Sequence, residues 1–117
     1  MSDLQELQAK ITKFRDDRNW KQFHTPKDLA MSVAIEAAEL MECFQWKSKE
    51  QIDEFVNSEK SVEIDEEMAD VLIYLLNLAD ILNIDIVDAA NKKLIKNAQK
   101  YPVEKLHGTY KKYTELN

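Results

Sequence analysis

Glycine, proline and cysteine are scarce in this 117-residue chain, which contains one Gly, two Pro and one Cys. A single glycine excludes the glycine-rich loops that bind phosphates or dinucleotides through the backbone, because such loops need several residues with positive φ or close backbone approach. The lone Cys43 cannot form a disulfide within the chain. The longest apolar run, from Val71 to Leu76, is far too short to span a membrane. If the protein binds phosphates, side chains and metal ions must hold them.

Acidic and basic residues are separated along the chain, although the net charge of −6 hides this. Residues 36–88 contain 15 Asp or Glu and three Lys, whereas residues 91–113 contain seven Lys and one Glu. The acidic middle would repel the phosphates of nucleic acid, so we expect no nucleic-acid partner. An acidic cluster beside a lysine-rich segment suits a cation with an anionic ligand, such as a nucleotide phosphate. No basic-then-apolar leader opens the chain, so we expect a soluble cytoplasmic protein with no membrane partner.

The spacing of apolar residues predicts an all-α protein, a bundle of four main helices with one short connecting helix. The main helices are expected at residues 3–18, 26–46 and 61–82 and from Asp85 to just before Tyr101, and the short helix at 50–56. Thr25, which precedes Pro26, and Asp85 are the expected N-caps. We expect one domain over residues 1–117, with residues 103–117 as a loosely held tail because they contain few apolar anchors.

The helix at 61–82 carries more apolar surface than one small bundle can cover. Its side chains Ile73 and Leu76 lie opposite the stripe formed by Val71, Leu75 and Leu78. A second apolar face needs a second partner, so we expect the bundle to be completed by homo-oligomerisation.

Two carboxylates on the helix at 26–46 lie beside its apolar face. The predicted core positions of that helix are Val33, Ala37, Leu40, Met41 and Phe44. Successive residues turn by about 100° around a helix axis, so Glu36 lies at the edge of this face and Glu39 about 60° further on the same side. Glu42 points away from the core and is expected to be solvated.

The helix at 61–82 offers a second pair of carboxylates. Glu67 falls inside the apolar arc and Asp70 at its edge, on a polar stripe that continues through Tyr74 and Asn77. A buried carboxylate without a partner is costly. Two helices that each offer two carboxylates could together bind a hard cation, Mg²⁺ or Mn²⁺. Ordinary solvated helix faces also carry such pairs, and this is the alternative interpretation.

Basic and aromatic residues add candidates for nucleotide binding. Lys93, Asn97 and Lys100 form one polar line on the last main helix and could hold phosphate oxygens, although an exposed lysine-rich face has the same pattern. Aromatic faces at the helix ends could stack on a base, or could form a cluster at the edge of the core. These residues are Trp20, Phe23, His24 and Trp46. His24 also suits a hydrogen bond that anchors its loop.

Five sequence blocks, in their order and spacing, resemble the MazG-like nucleotide pyrophosphohydrolases. The resemblance is strongest to the dCTP pyrophosphatase subgroup of the all-α NTP pyrophosphatase superfamily. The blocks are FRDDRNWKQFHTP from Phe14, EAAEL from Glu36, FQW from Phe44, EEMADVLIYL from Glu66, and the segment from Lys93 through Asn97 to Tyr101-Pro102. The resemblance covers roughly residues 10–102.

The resemblance implies a Mg²⁺-dependent enzyme that cleaves a nucleoside triphosphate between its α and β phosphates, releasing the monophosphate and pyrophosphate. It implies metal-ligand and catalytic roles for Glu36, Glu39, Glu67 and Asp70, among which Glu39 is our candidate to orient the attacking water. It assigns substrate contacts to Trp20 and Trp46 at the base, Tyr74 at the sugar, and Lys93, Asn97 and Lys100 at the phosphates. It also implies a dimer, or a tetramer built from dimers, that acts in nucleotide-pool control.

One position departs from the family pattern, because Ile11 stands where the resemblance leads us to expect a base-reading histidine. Selectivity for dCTP, broader dNTP hydrolysis and removal of modified nucleotides therefore all stay open. Two rival functions stand beside the pyrophosphohydrolase. One is a non-catalytic helical oligomerisation or regulatory module. The other is the related phosphoribosyl-ATP pyrophosphatase, against which the block from Trp20 to Pro26 argues.

Overall fold

The computed structural model describes residues 2–108, and the predicted tail from residue 109 onward lies outside this range. The described residues form α-helices and short 3₁₀ segments without a strand, which confirms the predicted all-α fold class. The helices are α1 (Asp3–Asp17), α2 (Pro26–Glu42), α3 (Lys49–Val56), α4 (Val62–Ile81), α5 (Ile86–Lys100) and α6 (Val103–Leu106). The 3₁₀ segments span Lys21–Phe23 and Glu59–Ser61.

Side-chain caps fix where the helices begin. Thr25 accepts a hydrogen bond from the backbone N–H of Asp28 at the start of α2, and Asp85 caps α5 in the same way. Both predicted N-caps are therefore confirmed. Ser2 and Ser48 start α1 and α3 with capping boxes, in which the side chain of a glutamine three residues later accepts a hydrogen bond from the backbone N–H of the serine.

The end of α2 differs from the prediction. The helix stops at Glu42 rather than at Trp46, and the next residues form turns in which the N–H of Phe44 donates to the carbonyl oxygen of Met41. Trp46 then has φ of 66°, in the left-handed region that bulky residues rarely adopt. A helix cannot continue through such a residue. Apolar periodicity extends through Phe44 and Trp46 and therefore overstated the length of the helix.

The chain divides into two compact units, residues 1–83 and residues 84–117, and each is described here by itself. In the first unit α4 packs along α2 and also contacts α1. Leu29 of α2 and Leu76 of α4 are its largest fully buried side chains. Met41, predicted to lie in the core, is 71% exposed. The prediction that Met41 belongs to the core is therefore wrong, since most of this side chain stays exposed in the described chain.

A buried ion pair joins α1 to α4. Arg15 is only 3% exposed, and its Nη1 donates to a carboxylate oxygen of Asp80 at 2.8 Å. Its Nε donates to Asp16 at 2.9 Å. The carbonyl oxygen of Arg15 also accepts a hydrogen bond from the N–H of Trp20 at 3.1 Å. Arg15 therefore fixes both the packing of α1 on α4 and the start of the segment that follows α1.

The second unit contains α5 and α6. Helix α5 ends before Pro102, as predicted, and α6 is a single short turn of helix inside the segment that was expected to be a tail. Along residues 2–108, no helix combines the length and the apolar character that crossing a membrane requires.

Candidate active site

The carboxylates predicted to lie together come from the two helices that pack most closely, α2 and α4. Oxygen atoms of Glu36, Glu67 and Asp70 all lie within 4.8 Å of one another. Glu36 and Glu67 are half-buried, and each has one oxygen, Oε2, that is shielded from solvent and has no hydrogen-bond partner. A buried carboxylate oxygen without a partner is costly, so these two atoms mark a position where a cation would be stabilised.

Glu39 contributes a fourth carboxylate to the same place. Burial raises the pKa of Glu36 to about 7, and a hydrogen bond with Glu39 and the negative charges of Glu39, Asp70 and Glu67 add to this effect. Burial likewise raises the pKa of Glu67, and a hydrogen bond with Glu39 and the negative charges of Glu39, Asp70 and Glu66 add to this effect. Glu39 therefore interacts with both half-buried carboxylates, although it is not one of the three residues whose oxygens lie within 4.8 Å of one another.

The charge of the four carboxylates is not paired within the part of the chain that the structure describes. Within residues 2–108 none of them forms an ion pair with a lysine, arginine or histidine. An all-oxygen set of carboxylates is the donor set that hard divalent cations such as Mg²⁺ and Mn²⁺ prefer. The converging oxygens, the two unpartnered atoms and the uncompensated charge together fit a divalent cation.

A cavity of about 350 Å³ opens beside this cluster, with Asp70 in its wall. Three aromatic residues line it, Phe14, Trp20 and Tyr74, and the other lining residues are Lys10, Ile11, His24, Ile73 and Asn77. The Phe14 and Trp20 rings meet edge to face with centroids 5.8 Å apart. The cavity is therefore a mainly apolar, aromatic slot with a few polar groups, as expected for a site that binds a flat heterocycle.

The side chain of His24 forms no hydrogen bond within the described chain, and its Nδ1 is buried without a partner. The structure therefore does not support the predicted role of His24 as a hydrogen-bonded loop anchor. Burial lowers the pKa of His24, and the nearby positive charge of Arg15 lowers it further. His24 thus lines the cavity with one ring nitrogen that has no hydrogen-bond partner.

Not every predicted substrate contact lies at this cavity. Trp20, His24 and Tyr74 line it, whereas Phe23 is 65% exposed and does not. Trp46 is 91% exposed and lines a different cavity of about 450 Å³ together with Lys47 and Phe55. The structure therefore does not bring Trp46 beside Trp20 in one chain.

The predicted phosphate-binding residues lie on α5, in the second compact unit. Lys93, Asn97 and Lys100 follow one another at spacings of four and three residues on one side of that helix. Their contribution to the site stays a prediction.

The cavity contains a residue to which the sequence had assigned no function. Asn77 is 5% exposed, and its Oδ1 is buried without a hydrogen-bond partner. The sequence did hold a sign of this place in the cavity, because Asn77 lies on the same polar stripe of α4 as Asp70 and Tyr74. Phe14 was likewise counted among the apolar positions of α1, yet it forms part of the cavity wall.

Comparison with known proteins places this chain in a family. Residues 31–116 match the sequence model of the MazG-like family. The chain belongs to the MazG-like family. It is 38% identical to dCTP pyrophosphatase 1 of Rattus norvegicus and 35% identical to that of Homo sapiens, in each case over 99% of this chain and 67% of the relative.

A solved relative extends this agreement to three dimensions. The crystal structure of a pyrophosphatase from Archaeoglobus fulgidus superimposes with a TM-score of 0.80 at 46% sequence identity, covering 87% of this MazG-like chain and 94% of that one. The predicted enzyme class, a pyrophosphatase hydrolase, is confirmed by these comparisons. They give no support to the non-catalytic helical module.

Proposed function

We propose that this MazG-like protein is a Mg²⁺-dependent nucleoside triphosphate pyrophosphohydrolase that converts a (d)NTP and water into the (d)NMP and pyrophosphate. The observation that carries the proposal is the group of Glu36, Glu67 and Asp70, whose oxygens converge beside an aromatic cavity. The names of the rat and human relatives, dCTP pyrophosphatase 1, favour dCTP or a closely related dNTP as the substrate. Such an activity would serve nucleotide-pool control.

The residues divide into two groups with different tasks. Glu36, Glu39, Glu67 and Asp70 would hold Mg²⁺, with Mn²⁺ as the alternative, and the bound metal would attract the triphosphate and stabilise charge on its oxygens. Trp20 would stack on the base, and Tyr74, one turn of α4 beyond Asp70, would support the sugar. Lys93, Asn97 and Lys100 would contact the phosphates, and Trp46 the base.

The reaction requires a water molecule placed in line with the bond to be broken. The water oxygen forms a bond to the α-phosphorus while the bond between that phosphorus and the α–β bridging oxygen breaks, and pyrophosphate leaves with that electron pair. Glu39 suits the role of accepting the proton from the water, because it adjoins Glu36 and Glu67 but lies outside the three residues whose oxygens all meet.

A homo-oligomer, either a dimer or a tetramer built from dimers, is part of the proposal. Met31 and Ile35 lie one turn apart on α2, and Met68 lies on α4, and each of these side chains is more than half exposed. Apolar side chains in such number on the surface of one chain are typical of a surface that another chain covers. A second copy would also give the exposed Trp46 a partner surface.

Metal binding tests the site without relying on turnover. A ligand that binds only the folded protein stabilises it, by about 2.7 kcal/mol when its concentration is 100 times its Kd. We expect Mg²⁺ with a non-hydrolysable dNTP analogue to raise the free energy of unfolding of the wild type. Glu67→Gln, which removes one ligand charge, should abolish this increase and the hydrolysis while the protein remains folded.

The matched control is Glu42→Gln, because Glu42 is exposed on the same pair of helices and lies outside the cluster. This variant should respond to Mg²⁺ as the wild type does. Equal stabilisation of Glu67→Gln and Glu42→Gln would contradict the assigned metal site.

A further inference from the structure

Asn77 is the most deeply buried polar side chain in the cavity wall, and the oxygen of its amide has no hydrogen-bond partner. It lies on α4, it is 5% exposed, and its Oδ1 has no donor within hydrogen-bond distance. Leaving a buried acceptor unsatisfied destabilises a folded protein, and such groups in native structures call for an explanation. A leucine of nearly the same shape would fill this position without that cost. The presence of an amide at this position is therefore explained if a ligand donates the missing hydrogen bond to Oδ1.

The position of Asn77 along α4 indicates which part of the ligand it meets. Asp70, Tyr74 and Asn77 all line the cavity and follow one another at spacings of four and three residues on one face of the helix. Asn77 lies about 10 Å along the helix axis from Asp70, because each residue adds about 1.5 Å. With phosphates at the carboxylate cluster and the sugar at Tyr74, the base reaches Asn77.

The other polar groups of the cavity do not offer a donor and an acceptor side by side. On α1, Ile11 has no hydrogen-bonding group and the amine of Lys10 only donates, whereas Phe14 and Trp20 offer ring surfaces. His24, which follows the 3₁₀ segment, is the other residue with a buried unpartnered atom in the cavity, and it presents a single ring nitrogen there. The polar edge of a base lying in this slot is therefore met from α4.

We propose that Asn77 binds the polar edge of the base, with Oδ1 accepting a hydrogen bond from the exocyclic amine of cytosine and Nδ2 donating one to the adjoining ring nitrogen. This inference rests on the proposed nucleotide pyrophosphohydrolase function. An asparagine amide matches an adjacent amine and ring nitrogen with two parallel hydrogen bonds, as it does when proteins read adenine. Uracil and thymine present a carbonyl oxygen where cytosine has its amine. This oxygen and Oδ1 are both acceptors and repel each other, so the amide would have to turn over to bind these bases.

The test compares dCTP with the analogue in which hydrogen replaces the 4-amino group, the 2-pyrimidinone deoxynucleoside triphosphate. Losing a good bidentate contact to a base changes the preference for that base over an altered one by roughly 10- to 100-fold. We expect the wild type to show this preference for dCTP in kcat/KM. Asn77→Leu should lower kcat/KM for dCTP, so that the ratio of kcat/KM for dCTP to kcat/KM for the analogue comes close to one. Asn77→Ala serves as a second variant that introduces no bulk.

Two controls separate base reading from a structural role. Asn91→Leu makes the same change at an exposed position of α5 and should keep the wild-type ratio. The free energy of unfolding of Asn77→Leu should equal or exceed that of the wild type, because an unsatisfied buried amide has been removed. A structural role predicts the reverse, a destabilised protein with equal losses on both substrates.

The outcomes distinguish this inference from the function on which it rests. A wild type that hydrolyses dCTP and the analogue equally well, or an Asn77→Leu variant that keeps the wild-type ratio, would overturn the role of Asn77 and leave the pyrophosphohydrolase intact. A wild type that hydrolyses no nucleoside triphosphate would overturn both.

Discussion

Breaking the ion pair between Arg15 and Asp80 is expected to destabilise the protein, because it leaves the guanidinium of the almost completely buried Arg15 without one of its two partners. Asp80→Ala removes the carboxylate that lies 2.8 Å from the guanidinium and leaves Asp16 as its remaining partner. Removing one partner of a buried pair typically costs about 3–5 kcal/mol. Asp80 itself is 35% exposed and Asp16 stays in place, so we expect a smaller loss of about 2 kcal/mol.

Urea unfolding in the absence of metal, at a fixed protein concentration, measures this loss. The matched control is Asp17→Ala, which breaks the exposed bridge between Lys13 and Asp17 and should change the free energy of unfolding by less than about 0.5 kcal/mol. Replacing both members of the buried pair by apolar residues, as in Arg15→Met with Asp80→Leu, should recover most of the loss. An Asp80→Ala protein as stable as the Asp17→Ala protein would refute the reasoning.

Three further predictions concern the site and the assembly. The pKa of Glu36 is about 7 in the folded protein against an ordinary 4.5, so the folded metal-free protein binds the proton more tightly than the unfolded chain does. The free energy of unfolding should therefore decrease as the pH rises from 4.5 to 7, by about 1–2 kcal/mol after allowance for solvent screening. Urea unfolding of wild type and Glu36→Gln in chelator checks this, and a difference between them that does not change with pH would contradict it. Trp20→Ala should raise KM for the nucleotide roughly 10-fold with a smaller change in kcat, since stacking on a base is worth about 1–3 kcal/mol; an unchanged KM would remove Trp20 from the base site. Ile35→Lys should reduce the oligomer to smaller species in sedimentation velocity, and an unchanged sedimentation coefficient would exclude this face of α2 as the interface.

Most of the fold could be predicted from the sequence, because a helical period in apolar residues is a direct consequence of burying one face. The same period placed Glu36 and Glu67 beside the core and so identified the carboxylate cluster. Two residues marked the helix starts reliably, since Thr25 and Asp85 cap by a local hydrogen bond that depends only on nearby sequence.

The features that the sequence did not predict depend on tertiary packing. The positive φ of Trp46, a conformation that its residue type does not favour, keeps α2 from reaching its predicted end. The exposure of Met41 was not predicted from its place on the apolar face of α2. Asn77 looked like one more polar residue on a stripe, and only the structure shows that its amide oxygen is buried without a partner in a cavity wall.

Analysis of the products after incubation with Mg²⁺ and separate nucleoside triphosphates tests the central claim most directly. The proposed chemistry breaks the bond between the α and β phosphates, so nucleoside monophosphate and pyrophosphate should appear in equal amounts, with dCTP or a close relative as the best substrate. Release of orthophosphate and nucleoside diphosphate instead would contradict the account.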